Sequence, residues 1–271
     1  MITSFLEKYF KKKPEVSNPK LKQPGKKKTS IAASRIGELG EYKIEIQLDQ
    51  LPKEWKHLHD LLLPNQQARS GYSQIDHTVI TPYGIFVIET KNYNGTIYGG
   101  KDRKTWSVNG KFRMMNPFIQ NYGHIEAIKP YIPSLYYDHI VSIVSFTKRC
   151  TFKAGTELRK ITSNQLLVYD VELSEFITRK VNVTKLQTNQ ALLTLEEIRD
   201  IYEALQAANI TDTTVRQRHI KKLQQPTHNN RQTCVVCERK VSKKVSDFCL
   251  ENKQFKGKVY CLTHQKKSVN K

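Results

Sequence analysis

The sequence predicts an α/β fold, in which a sheet is flanked by helices, followed by a small zinc-bound module at the carboxy-terminal end. Two observations lead to this fold class. Strand-like apolar runs alternate with helical patterns between residues 31 and 209, and two short-spaced pairs of metal-ligating residues follow between residues 234 and 264. Hydrophobic residues make up 38% of the 271-residue chain, which is enough for one sizeable core and a small satellite.

The amino-terminal region is strongly basic. Residues 11–30, "KKKPEVSNPKLKQPGKKKTS", are rich in Lys, Pro and Ser and cannot bury a core. We therefore predict that residues 1–30 form a basic arm, disordered or partly helical, whose Lys26, Lys27 and Lys28 contact nucleic-acid phosphates. The formal net charge of +20 favours a polyanionic partner, either nucleic acid or an anionic membrane surface.

Hydropathy and cysteine usage favour a cytoplasmic protein. No apolar run approaches the ~20 residues of a membrane span, and the first residues lack the continuous apolar region of a signal peptide. Cys150 stands alone, and the other four Cys lie between residues 234 and 261. This arrangement suits metal binding better than disulfide pairing. We expect no transmembrane segment and a cytoplasmic location.

The larger domain is predicted to span residues 31–209 and to begin with a helix. In that helix Ile36, Leu39, Tyr42 and Ile46 fall near helical spacing and predict a buried stripe. A strand-rich stretch follows from about residue 60 to residue 115. The apolar runs "HIVSIVSF" (139–146) and "QLLVYDV" (165–171) predict two further strands.

Two later segments have clear helical signals. In "NPFIQNYGHIEAIKP" Asn116 is a plausible N-cap, Pro117 suits the first helical position, and Pro130 ends the helix. "TLEEIRDIYEALQAAN" (194–209) is amphipathic, with acidic residues in its first turn. Residues 210–232 are polar, basic and without periodicity, which predicts a linker to a module at 233–271.

A hairpin is predicted around "TPYG" (81–84), because Pro and Gly favour a turn. A loop of two or four residues would pair Ile80 with Ile85 and would therefore set Asp76 opposite Glu89. Lys91 lies two residues beyond Glu89 and shares its face of the sheet. Three ionisable groups then converge on one patch, although a three-residue loop or a bulge would break this register.

Directly opposed carboxylates destabilise a sheet unless something offsets their repulsion. A divalent cation such as Mg²⁺ or Mn²⁺ would do so, because hard cations take carboxylate oxygens as ligands. A bound cation can also activate a water and polarise a phosphoryl oxygen, and an adjacent ammonium group can position that water. The pattern therefore predicts a metal-assisted phosphodiester hydrolase. The alternative is an ordinary ion pair on a solvent-facing strand.

Two helices could complete the site. Glu38, Glu41 and Glu45 share one stripe of the first helix, bordering the core, so that one of these carboxylates could reach the sheet patch. In the helix after Asn116, the stripe of Phe118, Tyr122 and Ile125 is predicted to be buried.

Gln120 and His124 share another face of that helix at i,i+4 spacing, where they could bind the nucleic-acid backbone or hold a water. For His124 a packed or capping histidine is the competing interpretation.

These residues resemble a known family, the nuclease-related domain (NERD), which is grouped with the PD-(D/E)xK phosphodiesterases. The resemblance covers roughly residues 34–150. It is carried by four stretches, "GELGE", "QIDHTVITPYGIFVIETKNYNGTIYG", Trp106 and "NPFIQN".

The resemblance implies a restriction-endonuclease-like core with a four-stranded mixed sheet flanked by helices. It also implies catalytic roles for Asp76, Glu89 and Lys91, and a supporting acid on the first helix, which we place at Glu41. Gln120 resembles a Gln that related nucleases carry on the helix after the Lys strand. Members of the family often carry additional zinc-ribbon, helicase or kinase modules.

The carboxy-terminal segment contains C-x₂-C at Cys234 and Cys237 and C-x₂-H at Cys261 and His264. Paired ligands at this spacing suit a tetrahedral structural Zn²⁺ site, and so short a segment has too little core to fold without one. The stretch between the pairs could form a small hairpin. Cys249 lies within it and could replace His264 as the fourth ligand, or simply pack.

The sequence as a whole favours a metal-dependent nuclease that acts on DNA and uses Mg²⁺ or Mn²⁺ together with a structural Zn²⁺. A homodimer is one way in which such an enzyme could cut both strands. Two alternatives remain at this stage. One is a non-catalytic nucleic-acid-binding or recruitment protein on a nuclease fold, and the other is a nuclease directed at RNA.

Overall fold

The computed structural model describes residues 42–188, 190–225 and 233–268. The predicted basic arm with Lys26, Lys27 and Lys28 lies outside the described residues, and so does Glu41. The strands are β1 Lys56–Pro64, β2 Tyr72–Thr81, β3 Gly84–Lys91, β4 Gly95–Tyr98, β5 Thr105–Val108, β6 Phe112–Met115, β7 Ile140–Phe146, β8 Cys150–Lys153 and β9 Gln165–Tyr169. The helices are α1 over 42–48, α2 Pro117–Ile128, α3 Leu173–Thr188, α4 Leu195–Ala208, α5 Thr213–Gln224, α6 Lys243–Glu251 and α7 Leu262–Ser268.

The central sheet is mixed and has five strands in the order β1-β2-β3-β7-β9. β1, β2 and β3 pair antiparallel, whereas β3, β7 and β9 pair parallel. The family resemblance implied four strands, and that number is wrong because β1 pairs with β2 from Lys56 to Pro64. A smaller four-stranded sheet, in the order β6-β5-β4-β8, packs through Trp106, whose ring stacks on Phe146.

The β2–β3 hairpin has the predicted register. Thr81 pairs with Gly84 around a two-residue loop, and Ile80 pairs with Ile85. Gly84 adopts φ +151°, a backbone conformation that other residues rarely adopt. The pairing continues to His77 and Ile88, so Asp76 and Glu89 occupy the next position along the two strands.

Helices cover both faces of the central sheet. On one face Ile44 and Leu48 of α1 join α3 against Phe86 and its neighbours. The predicted stripe on α1 is wrong in the part that the structure describes, because Tyr42 and Ile46 are exposed. Both pairs have i,i+4 spacing, so periodicity alone could not choose between them, and packing against Phe86 selected the other pair.

On the opposite face α2 and α4 pack against the sheet. The predicted bounds of α2 hold, since Asn116 caps its start through Phe118 N–H and the helix ends before Pro130. Its predicted buried stripe fails at Tyr122, which is exposed. Asn121 is buried instead, because its amide donates hydrogen bonds to the Val87 carbonyl at 2.8 Å and to other groups of the sheet. The helix predicted at 194–209 is α4, which begins with a capping box formed by Thr194 and Glu197.

The expectation of an irregular linker is wrong for Thr213–Gln224, which forms α5. Asp212 caps this helix by accepting hydrogen bonds from Thr214 and Val215 N–H. Polar contacts hold the helix against β1 and the loop that follows it. Arg216 binds Asp60, and the buried His219 contacts Ser70. The helix docks through polar groups, which is why no apolar period marked it in the sequence.

The carboxy-terminal region contains α6 and α7 and a small core that includes Val241, Phe255 and Val259. A bridge joins Thr233 and Lys240. The expectation of a hairpin between the two ligand pairs is wrong for Lys243–Glu251, because this segment is helical and is capped by Ser242. Across the part of the chain that the structure describes, no helix is long and apolar enough to cross a membrane.

Candidate active site

Glu89 lies near the carboxyl end of β3 and is buried within the sheet, with 2% of its surface exposed. β3 is flanked by β2 on one side and by the parallel strand β7 on the other, so alternation along β3 turns Glu89 and Lys91 to the same face. Helix α2 lies against that face. Glu89 and Lys91 thus share a face of the sheet, as predicted, and both lie at the first turns of α2.

Three side chains form a closed hydrogen-bond network at this point. Lys91 Nζ donates to Glu89 Oε1 and, at 3.0 Å, to Gln120 Oε1. Gln120 Nε2 in turn donates to Glu89 Oε1 at 2.7 Å. The amide therefore accepts from the ammonium group and donates to the carboxylate, which fixes the orientation of both.

His124 approaches the other carboxylate oxygen. Its Nε2 lies 3.0 Å from Glu89 Oε2, one helical turn beyond Gln120. The two side chains predicted to share a face of α2 thus reach the two oxygens of one carboxylate. His124 is itself 8% exposed, so both interpretations of this residue apply, because it is packed and also in contact with the site.

Asp76 extends from β2 next to this network. Its Oδ2 accepts a hydrogen bond from Thr90 N–H at 2.6 Å. Asp76 also contributes to the electrostatic environment of Lys91, because its charge favours the protonated amine. The structure therefore brings Asp76, Glu89, Lys91, Gln120 and His124 together.

The charges of Glu89 and Lys91 support each other. Burial alone would lower the pKa of Lys91, but the Glu89 carboxylate, and after it Asp76, raise the pKa above its usual value. Burial alone would raise the pKa of Glu89, but Lys91 and His124 hold it below the usual value. Both groups are therefore ionised at neutral pH.

The donor set fits a hard divalent cation. Glu89 Oε2 is buried beside His124 Nε2 at 3.0 Å and makes no further hydrogen bond in the described part of the chain, and Asp76 presents a second carboxylate nearby. Carboxylate oxygens are the ligands that Mg²⁺ and Mn²⁺ prefer. Glu45, on the same predicted stripe as Glu41, lies apart from this set, because its Oε1 contacts His59 Nδ1 at 2.7 Å.

A second group of potential metal ligands lies in the carboxy-terminal region. Ligand atoms of Cys234, Cys237, Cys261 and His264 all lie within 4.8 Å of one another. Burial alone would raise the pKa of the Cys234 thiol, but backbone N–H groups of the two ligand turns, together with His264, lower it to about 6. A thiolate is the form of Cys that binds metal, so this chemistry fits Zn²⁺.

The contacts of Cys249 indicate a role other than metal binding. It is fully buried, and its Sγ accepts hydrogen bonds from Tyr260 N–H at 3.4 Å and from Gln265 Nε2 at 3.1 Å. Of the two candidates for a fourth ligand, the structure places His264 in the cluster and Cys249 in the small core.

Sequence reasoning missed two residues near the candidate active site. Asn121 ties α2 to the sheet by donating to the Val87 carbonyl and to Ser142, and its position inside "NPFIQN" was the available signal. His219 reaches the site's surroundings from α5, and nothing in the polar segment 210–232 marked it.

The mixed sheet flanked by helices, with Asp76 in β2 beside the Glu89-x-Lys91 pair near the end of β3, is consistent with a nuclease-like core. The sequence model of the nuclease-related domain matches residues 36–147. An uncharacterized protein of Bacillus anthracis is 32% identical over 192 residues, which are 69% of this chain and 83% of that protein. The chain belongs to the nuclease-related domain family. No solved structure matches it.

Proposed function

We propose that this protein is a metal-dependent nuclease that hydrolyses phosphodiester bonds of DNA. The observation that carries the proposal is the buried Glu89 carboxylate, held by Lys91 and Gln120 on one oxygen while His124 Nε2 lies 3.0 Å from the other. A buried ion pair contributes little net stability, so its presence at a strand end favours a functional role.

Asp76 and Glu89 would hold Mg²⁺ or Mn²⁺, with Glu41 as a supporting acid from the first helix. When bound, such a cation supplies a polarised phosphoryl oxygen and a water of lowered pKa. With such a cation held by Asp76 and Glu89, the hydrogen bonds from Lys91 and Gln120 to Glu89 Oε1 would remain in place. The carboxylate would therefore stay oriented as the substrate enters.

Lys91 would position the attacking water and stabilise the developing negative charge. Its pKa is raised by Glu89, which keeps the amine protonated and makes Nζ a hydrogen-bond donor. Gln120 restricts the direction of that amine through its Oε1. His124 stands at the edge of the same carboxylate, where it would contact the phosphate backbone.

The remainder of the chain would supply substrate affinity. A net charge of +20 attracts a polyanion, and Lys26, Lys27 and Lys28 of the predicted arm would add salt-sensitive phosphate contacts. The zinc module would add a second basic surface. In this proposal the protein acts in the cytoplasm, and a homodimer would allow both strands to be cut.

The decisive experiment is a cleavage assay on plasmid and linear DNA, with and without Mg²⁺ or Mn²⁺. We expect metal-dependent cutting that falls by ~100-fold or more in Lys91→Ala, because a preorganised donor to the reacting charge is lost. Lys185→Ala removes an exposed lysine of α3 and serves as the matched control, since it lowers the net charge equally and lies outside the network.

The other outcomes separate the competing functions. Tight DNA binding without cutting by the wild type would overturn the proposal and identify a nucleic-acid-binding platform. Cutting of RNA with DNA left intact would identify an RNA-directed nuclease.

A further inference from the structure

A cavity of about 550 Å³ opens directly beside the candidate active site. It lies between β2, α2 and α5, and Asp76, Gln120 and His124 form part of its wall. Its volume falls within the ~300–1,000 Å³ that small-molecule sites occupy. A group bound in this cavity would therefore lie next to the atoms proposed to cleave the phosphodiester.

Part of the cavity wall is apolar and accessible. Tyr122 is 62% exposed, and Met115, Ile119 and Leu223 around the same cavity are each about half exposed. Large apolar side chains that cluster in a concave, accessible surface indicate a binding site. An exposed aromatic ring beside a phosphodiesterase centre is suited to stacking with a nucleobase.

His219 supplies a polar group to this cavity and is 3% exposed. The Ser70 hydroxyl donates its hydrogen to the Tyr72 carbonyl at 2.9 Å and accepts from Tyr72 N–H, so that its remaining lone pair faces His219 Nδ1 at 2.8 Å. With the Ser70 hydroxyl donating in this way, Nδ1 carries the ring hydrogen. Burial, and next the charge of Arg216, lower the pKa of His219 and keep the ring neutral.

In this tautomer His219 Nε2 is a hydrogen-bond acceptor. It is buried and has no hydrogen-bond partner among the residues that the structure describes. An acceptor does not suit a phosphate, which has only acceptor oxygens at neutral pH. It suits an N–H group such as those on the edges of nucleobases.

The surroundings of the cavity match a charged backbone. A second cavity of about 620 Å³ shares His219 and Tyr72 with the first and is bordered by Arg218, Lys221 and Lys222 of α5. These three side chains are exposed. The cavity is thus bordered by side chains of the candidate active site and by a row of cations from α5.

We propose that this cavity binds one unpaired nucleotide of a DNA strand, with its base against Tyr122, a base N–H directed to His219 and its flanking phosphates on the cations of α5. The inference rests on the proposed nuclease function for its choice of substrate. It adds that α5 forms part of the substrate site, and that the preferred substrate has an unpaired or frayed nucleotide beside the cleaved bond.

Binding without added Mg²⁺ or Mn²⁺ tests this inference without requiring cleavage, and it leaves a structural Zn²⁺ in place. The full chain is titrated into three fluorescent DNA probes of equal length: a single strand, a blunt duplex, and a single strand with abasic positions. We expect the single strand to bind best, and Tyr122→Ala and Leu223→Ala to weaken its binding about tenfold. Leu186→Ala is the matched control, since Leu186 is an exposed leucine of α3 outside the cavity.

His219→Phe keeps the ring volume, removes the acceptor and is expected to lower affinity similarly. Tyr122→Ala changes an exposed residue, so it keeps the test decisive if His219→Phe disturbs α5. Equal binding of the intact and abasic strands, or unchanged binding by Tyr122→Ala, would overturn the inference. Preference for the matching RNA strand would overturn the choice of DNA. Since no probe is cut without Mg²⁺ or Mn²⁺, an inactive enzyme that still shows the expected pattern would refute the nuclease proposal alone.

Discussion

Glu89 stays ionised inside the sheet because three neighbouring side chains offset the free-energy cost of burying its carboxylate. Moving a carboxylate out of water is expensive, and a buried pair often contributes less than an apolar replacement would. Lys91, Gln120 and His124 here surround both oxygens of the carboxylate. The buried charges stabilise each other, and removing one of them leaves the other buried without its partner.

This coupling gives a stability prediction. Lys91→Met leaves Glu89 buried without its cation and is expected to cost ~3–5 kcal/mol in the free energy of unfolding. The double variant Glu89→Gln/Lys91→Met removes both charges and should recover part of that loss. Urea unfolding of the wild type and the two variants measures the difference.

Lys185→Met is the control on an exposed lysine and should change stability by no more than ~0.5 kcal/mol. Equal losses in the single and double variants would contradict the coupling of Glu89 and Lys91.

The sequence could predict part of this site at the residue level. The turn at "TPYG" and strand alternation were enough to place Glu89 and Lys91 on one face, because both follow from backbone geometry. The burial of Asn121 in place of Tyr122 on α2 could not be predicted in this way. Asn121 is buried because the Val87 carbonyl and Ser142 lie across from it, and such partners become visible only in the folded sheet.

Helix α5 shows how a polar segment can dock on a sheet. Arg216 donates to the Ile210 carbonyl at 2.7 Å, and its guanidinium also contacts the Asp60 carboxylate at 2.7 Å and the Asp60 carbonyl at 2.8 Å. Asp60 lies in β1 between the pairs His59–His77 and Leu61–Ile75, with a left-handed φ of +49°. That conformation accompanies a carboxylate engaged by Arg216 and Gln74.

Arg216→Ala should therefore release α5 while leaving the sheet intact. The expected result is faster amide hydrogen exchange across residues 213–224, with unchanged protection of β3, because several charge-assisted hydrogen bonds are lost together. Arg179→Ala on α3 is the control, since its pair with Glu175 is exposed and worth little. Unchanged exchange in α5 would show that other contacts hold the helix.

Helix prediction from sequence succeeded for two segments that have an apolar period. It identified α4 and the bounds of α2, whose caps are also explicit in the sequence. It failed for α5, because the contacts of that helix are made by Arg216, His219 and Asp212 rather than by a stripe of aliphatic residues. Such contacts have no repeat that a pattern could reveal.

At the scale of the whole molecule, two kinds of structure are held together by different forces. The larger domain is stabilised by apolar side chains on both faces of a five-stranded sheet. The carboxy-terminal region has only a small core of buried residues, and three of these residues are Cys. The fold class was predictable because alternating strands and helices mark the first kind of structure, and ligand spacing marks the second.

Zinc removal should consequently unfold one part of the molecule and spare the other. Structural Zn²⁺ supplies roughly 10–16 kcal/mol to small modules of this kind. We expect about one bound Zn²⁺ per chain, and we expect a chelator to abolish protection from hydrogen exchange in α6 and α7 while β3 stays protected. Cys237→Ala should have the same effect as the chelator.

Cys249→Ala is the matched control, because it tests whether Cys249 is a metal ligand or a core residue. Since Cys249 Sγ contacts Tyr260 and Gln265 and the other four ligand atoms already converge, this variant should retain its Zn²⁺ and lose only a modest amount of stability. Metal content by atomic absorption measures the difference between the two variants. Loss of Zn²⁺ in Cys249→Ala together with its retention in His264→Ala would reverse the assignment and make Cys249 the fourth ligand.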